Sequence, residues 1–499
     1  MENLHHKEDN QMSEQNQELK RGLKARHLNM IALGGSIGTG IFLAMGDTIY
    51  QAGPGGALVA YVLVGIMVYF LITSLGEMAT FMPISGSFSS YATKFIDPAL
   101  GFALGWNYWY NWAITIAAEM VAGSLVMKFW FPNIPGVYWS LLFLIIIVGL
   151  NFLSSKAYGE SEYWFAGVKV VTVIIFLIIG VLMIVGIIGS DEIGFHNYFI
   201  KDGPFHGGIK SIFAIFLVAG FSFQGTELIG VAAGESENPE KTIPRAIKSI
   251  FWRILIFYLG TIIVLGAIIP FTQAGVSESP FTMVFEKAGI AGAASLMNAV
   301  ILTSVLSAGN SGMYASSRML HSMAKDGLAP KLFAKTNKRG VPINALILTT
   351  IVASFCFLTG VFAESTVYVW LVAASGLAGF IAWVGIAICH YRFRKAYTHQ
   401  GNNLKDLKFT AKWYPFGPIL ALIMCIVIII GQGYSCIKPD GIDWSGLIAS
   451  YIGIPLFLSL YIGYKIKHKT KLIPLHKVDL TYGEDKNLDN IEKKILELN

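Results

Sequence analysis

Four ionisable side chains stand inside or at the ends of runs that are otherwise apolar: Glu119, Lys169, Glu227 and Glu235. Charge in such surroundings is expensive, so each is a functional candidate by default. Glu119 shares a helical stripe with Thr115 and Gly123 at a spacing of four, which gives a small, polar face able to receive an ammonium group. Lys169 is the one charge between Glu162 and Asp191. Glu227 directly follows a glycine-containing break, and Glu235 lies further along beside Glu237 and Glu240, where a solvated, gate-side role is expected. Each has a plainer reading: a structural acid for Glu119, a hydrogen bond to freed backbone for Glu227, and snorkelling to the membrane surface for Lys169.

Two clusters of glycine supply the other half of the chemistry. Gly35-Ser36-Ile37-Gly38-Thr39-Gly40 interrupts the first apolar run, although each glycine costs a helix about 1 kcal/mol relative to alanine. Gly220-Phe221-Ser222-Phe223-Gln224-Gly225-Thr226-Glu227 interrupts the sixth. Unwound backbone is tolerated at membrane depth only where it is buried in protein or lines a cavity. Freed NH groups at the start of a half-helix then favour an anion. A carboxylate is therefore expected on the NH groups near Thr39 and Gly40, with Gly38 and Ser36 close by, and an ammonium on the carbonyls of Phe221, Ser222 and Gln224. Small-residue packing between helices is the alternative for the first cluster. Trp106, Trp109 and Trp112 repeat at a spacing of three; Trp112, deepest in its run, is the site candidate among them.

The elements that must hold these groups follow from composition. Of 499 residues, 54% are hydrophobic and 14% charged, whereas charge in soluble domains is nearer about 25%. The apolar residues form blocks long enough to cross about 30 Å of hydrocarbon as helices. Spans are expected near 28 to 50, 55 to 80, 100 to 127, 137 to 154, 162 to 189 and 209 to 236, then 249 to 270, 291 to 318, 342 to 361, 366 to 390, 414 to 431 and 446 to 464. This predicts an all-α membrane protein of about twelve transmembrane helices, with tails at 1–27 and 465–499. The two breaks fall in spans one and six, matching positions of two five-span repeats at about 28–189 and 209–390. Five is odd, so the second repeat enters the membrane from the opposite side, an inverted repeat of the kind that places a binding site between interrupted helices. Two extra helices follow at 414–431 and 446–464.

With the N-terminus inside, inside segments hold 31 of the 37 Lys and Arg; five fall outside (Lys128, Lys201, Lys210, Lys287, Lys438) and Lys169 lies within a span. This asymmetry predicts a multi-pass protein of the plasma membrane with both termini cytoplasmic. The formal charge of +6 is thereby a topology signal and not a nucleic-acid patch. The N-terminal stretch lacks the pattern of a cleaved signal, residues 1 to 19 read as disordered, and Ile491, Ile495 and Leu496 read as one face of a surface helix. Cys356, Cys389, Cys425 and Cys436 have no CxxC spacing, so no metal site or cofactor is expected.

These motifs resemble the amino acid permeases of the amino acid, polyamine and organocation superfamily, in particular the bacterial lysine-specific permeases. The resemblance runs from about Glu18 to about Lys467. It rests on Leu23-Lys24-Ala25-Arg26-His27-Leu28, both breaks, Gln51-Ala52-Gly53-Pro54-Gly55-Gly56 and Pro83-Ile84-Ser85-Gly86-Ser87-Phe88. Gly105 to Trp112, Glu235-Ser236-Glu237-Asn238-Pro239 and Ser307-Ala308-Gly309-Asn310-Ser311 complete it. The resemblance implies a leucine-transporter-like fold and import of an amino acid, L-lysine, coupled to protons by alternating access. It places Glu227 in the unwound region that links site and gate, and Lys169 where sodium-coupled relatives bind their ion. The substrate-binding set so expected is Ser36, Gly38, Thr39, Gly40, Trp112, Thr115, Glu119, Phe221, Ser222, Gln224, Gly225 and Glu227. Lys169 and Glu227 are assigned to proton coupling, and Glu235 to a gate.

Other classes fit less well. A channel would favour a repeated pore-lining filter over two broken helices in one chain. An enzyme would need a nucleophile with its base, or a metal cluster, and the ten histidines form no HExxH. Arginine, histidine or a neutral amino acid remains open as substrate, as does a sensing role through a regulatory membrane partner.

Overall fold

The computed structural model describes residues 23–153, 155–189, 194–275, 279–290, 292–438 and 441–480. The expected features of residues 1 to 19 and of Ile491, Ile495 and Leu496 lie outside them. The described residues form an all-helical bundle. The first span is α1 (Ala25–Ser36), a break, and a π-helical turn at Gly40–Ala44 that runs into α2 (Met45–Phe81). Within α2 the chain kinks at Gly53, whose φ of 71° is left-handed, and Pro54 starts the second span. Then come α3 (Ser87–Phe95), α4 (Pro98–Met127), α5 (Gly136–Asn151) and α6 (Ser155–Ile184). The sixth span is assembled from α7 (Gly208–Ala214), α8 (Phe216–Phe223), a break, and α9 (Leu228–Ala232).

The remaining helices are α10 (Pro239–Ile268), α11 (Pro280–Lys287), α12 (Ala293–Lys325), α13 (Ile343–Ala353) and α14 (Glu364–His399). After them come α15 (Phe416–Gly431), α16 (Trp444–Tyr451) and α17 (Gly453–His468). One two-stranded hairpin, β1 (Ile437–Lys438) with β2 (Gly441–Ile442), joins α15 to α16. Among the described residues eight continuous helical stretches are long and apolar enough to cross a membrane, and two shorter apolar ones, Gly136–Asn151 and Leu255–Ile268, accompany them. The long stretch Gly40–Phe81 holds the end of span one and all of span two. The chain is thus the multi-pass, all-α membrane protein its apolar blocks predict.

Three helices run well past their apolar blocks. α10 begins ten residues before the apolar block at 249, and α12 and α14 run on to Lys325 and His399. Hydropathy registers only the part of a helix that meets hydrocarbon, whereas hydrogen bonding continues into the polar layer. Pro239, in the first turn of α10, was the available signal for its true start.

The helix at the centre is α4, which packs on α12, α14, α3, α5 and α17. Its polar residues are tolerable because other helices satisfy them; Asn107, for example, donates to the Ala378 carbonyl at 2.7 Å. α6 is two-faced. Trp164, Val171 and Ile178 are exposed on one side, while Glu162, Lys169, Val173 and Phe176 are buried on the other.

The basic loops gather at one end of the bundle. There Leu23 pairs with Ser236 as an isolated parallel bridge, its NH donating to the Glu235 carbonyl at 3.0 Å and its carbonyl receiving the Glu237 NH at 3.1 Å. Asp97, which caps α4, receives Lys465 at 2.6 Å, and the Ile473 NH donates to the Ile96 carbonyl. The segment after α17 is therefore docked on the bundle as far as the described residues reach. Also near this end, Arg394 holds buried Glu77 in a two-point ion pair, through Nε and through Nη2 at 2.6 Å, and the Ala411 NH donates to the same carboxylate at 2.6 Å.

Arg394→Met leaves the Glu77 carboxylate buried without its charge partner, which typically costs about 3 to 5 kcal/mol. The variant is expected to unfold at clearly lower temperature in detergent. Adding Glu77→Met to it should recover most of the loss, as a thermal series on the single and double variants would read.

Candidate functional site

Both interruptions are built from the residues that the glycine clusters singled out. α1 ends at Ser36, Ile37 and Gly38 leave the helix, and the chain resumes through Thr39 into the π-helical turn. α8 ends at Phe223, Gln224 is extended with ψ 147°, and Gly225 takes a φ of 94°, a left-handed conformation that costs glycine nothing. The two breaks touch. A Cβ on Gly40 would lie 2.5 Å from the Ser222 Cα, so only glycine permits this approach.

Between the breaks lies a space of ≈ 290 Å³ lined by Gly38, Thr39, Gly40, Trp112, Thr115, Glu119, Phe221, Ser222, Gln224 and Ala308. It is narrow: the centre of a water molecule is free to move through only ≈ 20 Å³ of it. Glu119 reaches in from α4. Its Oε1 accepts the Thr39 hydroxyl at 3.0 Å, and its Oε2 has no hydrogen-bond partner although the residue is 3% exposed. An unpaired buried carboxylate oxygen is costly and marks a position where a donor is expected to bind.

The opposite wall is polar and mutually bonded. The Thr115 and Ser375 hydroxyls are 2.5 Å apart, Ser375 donates to Asn111 Oδ1 at 3.0 Å, and the Gln224 amide lies against the Ser375 and Gly376 carbonyls at 3.4 Å. Gly379 makes room for it, since a Cβ there would fall 1.9 Å from Gln224 Nε2. The carbonyls of the second break are partly engaged. Tyr258 donates to the Ser222 carbonyl, and the Phe221 carbonyl accepts the Gln224 NH at 3.1 Å. The Ser222 hydroxyl is held 2.9 Å from Tyr61.

Several expected site residues lie elsewhere. Gly225 and Glu227 do not line this space. The left-handed turn at Gly225 carries Glu227 to the other side of the break, where its carboxylate accepts the Gly225 NH at 3.1 and 3.2 Å, Tyr108 at 3.1 Å and Trp383 at 3.4 Å. Ser36 closes α1, two positions before Gly38.

Glu235 is not solvated. It is wholly buried, paired with Arg318 at 3.1 Å and bonded by Tyr314 at 2.7 Å. The guanidinium sits 4.3 Å over the Tyr314 ring, which stacks on Tyr158 with centroids 4.1 Å apart. This layer of ions and rings lies at the basic end of the bundle.

Lys169 does not snorkel. It is fully buried and donates to the Gly34 carbonyl at 2.6 Å. The end of α1 decides which carbonyl it meets. In a regular helix Gly34 would accept the Gly38 NH, but α1 stops at Ser36, so the Gly34 carbonyl belongs to the open last turn. A cation is favoured there.

Ala308, Asn111, Ser375 and Glu162 were missed. Ala308 lay inside a quoted motif and Glu162 lay seven residues before Lys169, hence on the same side of α6. Asn111 lay inside the Gly105 to Trp112 motif with no signal of its own, and Ser375 carried none.

Two interrupted helices with a polar space between them, inside a helical bundle, define a membrane transporter of small molecules. The chain belongs to the amino acid permease family, whose model matches residues 27–477. It is therefore a transport protein and not an enzyme. It is 55% identical to the lysine-specific permease LysP of Escherichia coli, over 94% of this chain and 98% of that protein. The LysP of Lactococcus lactis is 56% identical over 94% of each chain, and the histidine permease HisP of the same organism 51% identical over 94% of this chain and 99% of its own.

Gly40→Ala is expected to force the two breaks apart, because the added methyl group meets backbone and not a movable side-chain tip. Equilibrium binding of radiolabelled lysine to the purified variant should weaken by about tenfold or more, equivalent to about 1.4 kcal/mol, while membrane insertion and yield stay normal. Unchanged affinity would show that the two breaks need not touch for binding.

Proposed function

We propose that this chain imports L-lysine in symport with protons, by alternating access, across the bacterial plasma membrane with both termini cytoplasmic. The observation that carries the reading is the unpartnered Glu119 Oε2 in a space bounded by both broken helices. A diamino acid has three charged groups, and the space offers complementary features for them. The α-carboxylate is assigned to the NH groups at Gly38, Thr39 and Gly40, where the second half of span one begins. The α-ammonium is assigned to the free lone pairs of the Phe221 and Gln224 carbonyls. The side-chain ammonium is assigned to Glu119, with Thr115 and Trp112 flanking the alkyl chain.

The name shared by two of the similar proteins supports lysine, and the histidine permease at 51% identity supports histidine as the competing reading. Both substrates offer a cationic or polar side chain to Glu119. Uptake of labelled lysine into proteoliposomes, competed in turn by histidine, arginine and neutral amino acids, separates them. Lysine as substrate requires self-competition stronger than competition by histidine. Glu119→Gln keeps shape and removes charge, so it should reduce lysine affinity and erase the preference over neutral analogues.

Proton coupling is assigned to Lys169. Charged, it caps the open end of α1 at Gly34; neutral, it loosens that cap and lets the first broken helix move. At the basic end the Glu235–Arg318 pair and the stacked Tyr314 and Tyr158 act as the inner gate. Glu227, committed to the backbone of the second break, holds that break in shape and receives no proton in this scheme. The exposed apolar faces of α6 and α17 meet lipid. Contact with a regulatory membrane partner would be a separate property, readable by binding of a labelled candidate to the purified protein.

Lys169→Gln is expected to lose lysine accumulation driven by an inward proton gradient and to retain part of lysine counterflow at equal pH. Undiminished gradient-driven accumulation in that variant would remove Lys169 from coupling.

A further inference from the structure

Glu162 is a buried acid that the scheme above leaves without a task. It is fully buried on α6, in the membrane-facing helix that also carries Lys169. Its Oε1 accepts the Ser307 hydroxyl from α12 at 2.5 Å, and its Oε2 has no hydrogen-bond partner among the described residues. A Cβ on Gly34 would lie 2.4 Å from Oε1, so the carboxylate is pressed against the residue whose carbonyl Lys169 holds. The spacing of seven puts Glu162 and Lys169 on one face of α6, and the lysine side chain leans toward the helix N-terminus, hence toward Glu162. The two charges grip the same glycine of α1 from two levels of one helix.

The surroundings make this a closed electrostatic unit. Lys169 lies within electrostatic reach of both Glu162 and Glu119. Around Glu162 stand Tyr158 on α6 and Ser307, Asn310 and Ser311 on α12, with Arg318 and Glu235 beyond Tyr158. From α1, His27 lies against Gly159 and is paired with exposed-side Glu160. α10 and α11 meet α6 through apolar contacts, Val264 on Gly180, Leu177 on Gly260, and Phe281 and Phe285 on Phe176. Lys169 is thus set between a carboxylate that faces the substrate space and one that does not.

We propose that Glu162 is the proton acceptor for Lys169 and that substrate binding drives the transfer; the inference rests on proton coupling at Lys169 as read above. With the space empty, Glu119 and Glu162 both hold the Lys169 ammonium in its charged form. A bound lysine side chain neutralises Glu119 and removes half of that hold. One Nζ–H bond then breaks and an Oε2–H bond forms on Glu162, turning an ammonium and a carboxylate into an amine and a carboxylic acid. The Gly34 carbonyl loses its charged partner and α1 is released. When the inner gate opens, Glu162 gives the proton to water at the basic end, where Tyr158 and Arg318 form the nearest layer.

The experiment uses the full-length protein in liposomes. Wild-type protein is assayed first for lysine accumulation with and without an inward proton gradient; absence of gradient dependence would overturn the coupling reading itself. Glu162→Gln, which cannot take up a proton, is then expected to lose about tenfold or more of gradient-driven accumulation. Its lysine counterflow at equal pH should fall as well, because Lys169 then keeps its proton and its hold on the Gly34 carbonyl, and adding Lys169→Gln should restore counterflow without restoring gradient-driven accumulation. Glu162→Asp, which retains an acid, should recover part of the accumulation. Gradient-driven accumulation by Glu162→Gln equal to wild type overturns the proposal while leaving Lys169 in place. Counterflow by Glu162→Gln equal to wild type, or a Glu162→Gln/Lys169→Gln double variant that binds lysine and still lacks counterflow, also overturns it, since Glu162 would then not act through the Lys169 proton. If Glu162→Gln does not fold, the decision passes to Glu162→Asp and Ser307→Ala: an unchanged pH profile of counterflow in both overturns the proposal, and a shifted profile in both supports it.

Discussion

The structure depends on one constraint: backbone that leaves a helix in a low-dielectric interior must find partners, and the protein supplies them only in part. At the first break the open carbonyl of Gly34 is taken by Lys169, and the resumed helix begins at a space lined by Gly38, Thr39 and Gly40. At the second, Glu227 takes the Gly225 NH and Tyr258 takes the Ser222 carbonyl. Among the groups left unsatisfied by the described residues, the Glu119 Oε2 lies in the space between the two breaks. Unsatisfied groups of this kind are tolerated when a ligand completes them.

Close packing turns this local chemistry into a mechanical arrangement. The breaks approach until Gly40 meets the Ser222 backbone, and α4 carries Glu119 and Trp112 against both. α4 can do so because it is surrounded by helices, so its polar residues find protein partners in place of lipid. α6 lies beside α1 and presents Glu162 and Lys169 to one glycine of it. Charge on α6 is therefore felt by the same helix that borders the space between the breaks. Toward the basic end, the buried Glu235–Arg318 pair is layered with the stacked Tyr314 and Tyr158.

Much of this was legible in the chain alone, and the reasons differ from part to part. The twelve apolar blocks and the lysine and arginine asymmetry report the solvent, so they fix which segments enter a membrane. Glycine clusters report backbone that helices cannot accommodate, so both breaks fell where the spacing placed them. Eight of the ten residues lining the space are marked by those clusters or by the stripe around Glu119, and Trp112 by the tryptophan repeat, which leaves Ala308. The ends of α10, α12 and α14 were not legible in hydropathy, because hydrogen bonding carries a helix past the apolar boundary.

What tertiary structure alone decided is which side of a break each group faces and what it meets there. Glu227 and Gln224 are three residues apart in one unwound segment, yet the left-handed Gly225 sends one to the gate side and the other to the substrate space. Glu235 resembled a solvated acid among Glu237 and Glu240 until Arg318 and Tyr314, some eighty residues away in sequence, enclosed it. Ser375 and Asn111 carry no local signature, and their role comes from α14 crossing α4. The sequence by itself determined the solvent of each segment and the places where helices must break, because those depend on residue type along the chain. The pairing of Lys169 with Gly34 and of Glu162 with Ser307 depended on how three helices pack, a property that no local pattern encodes.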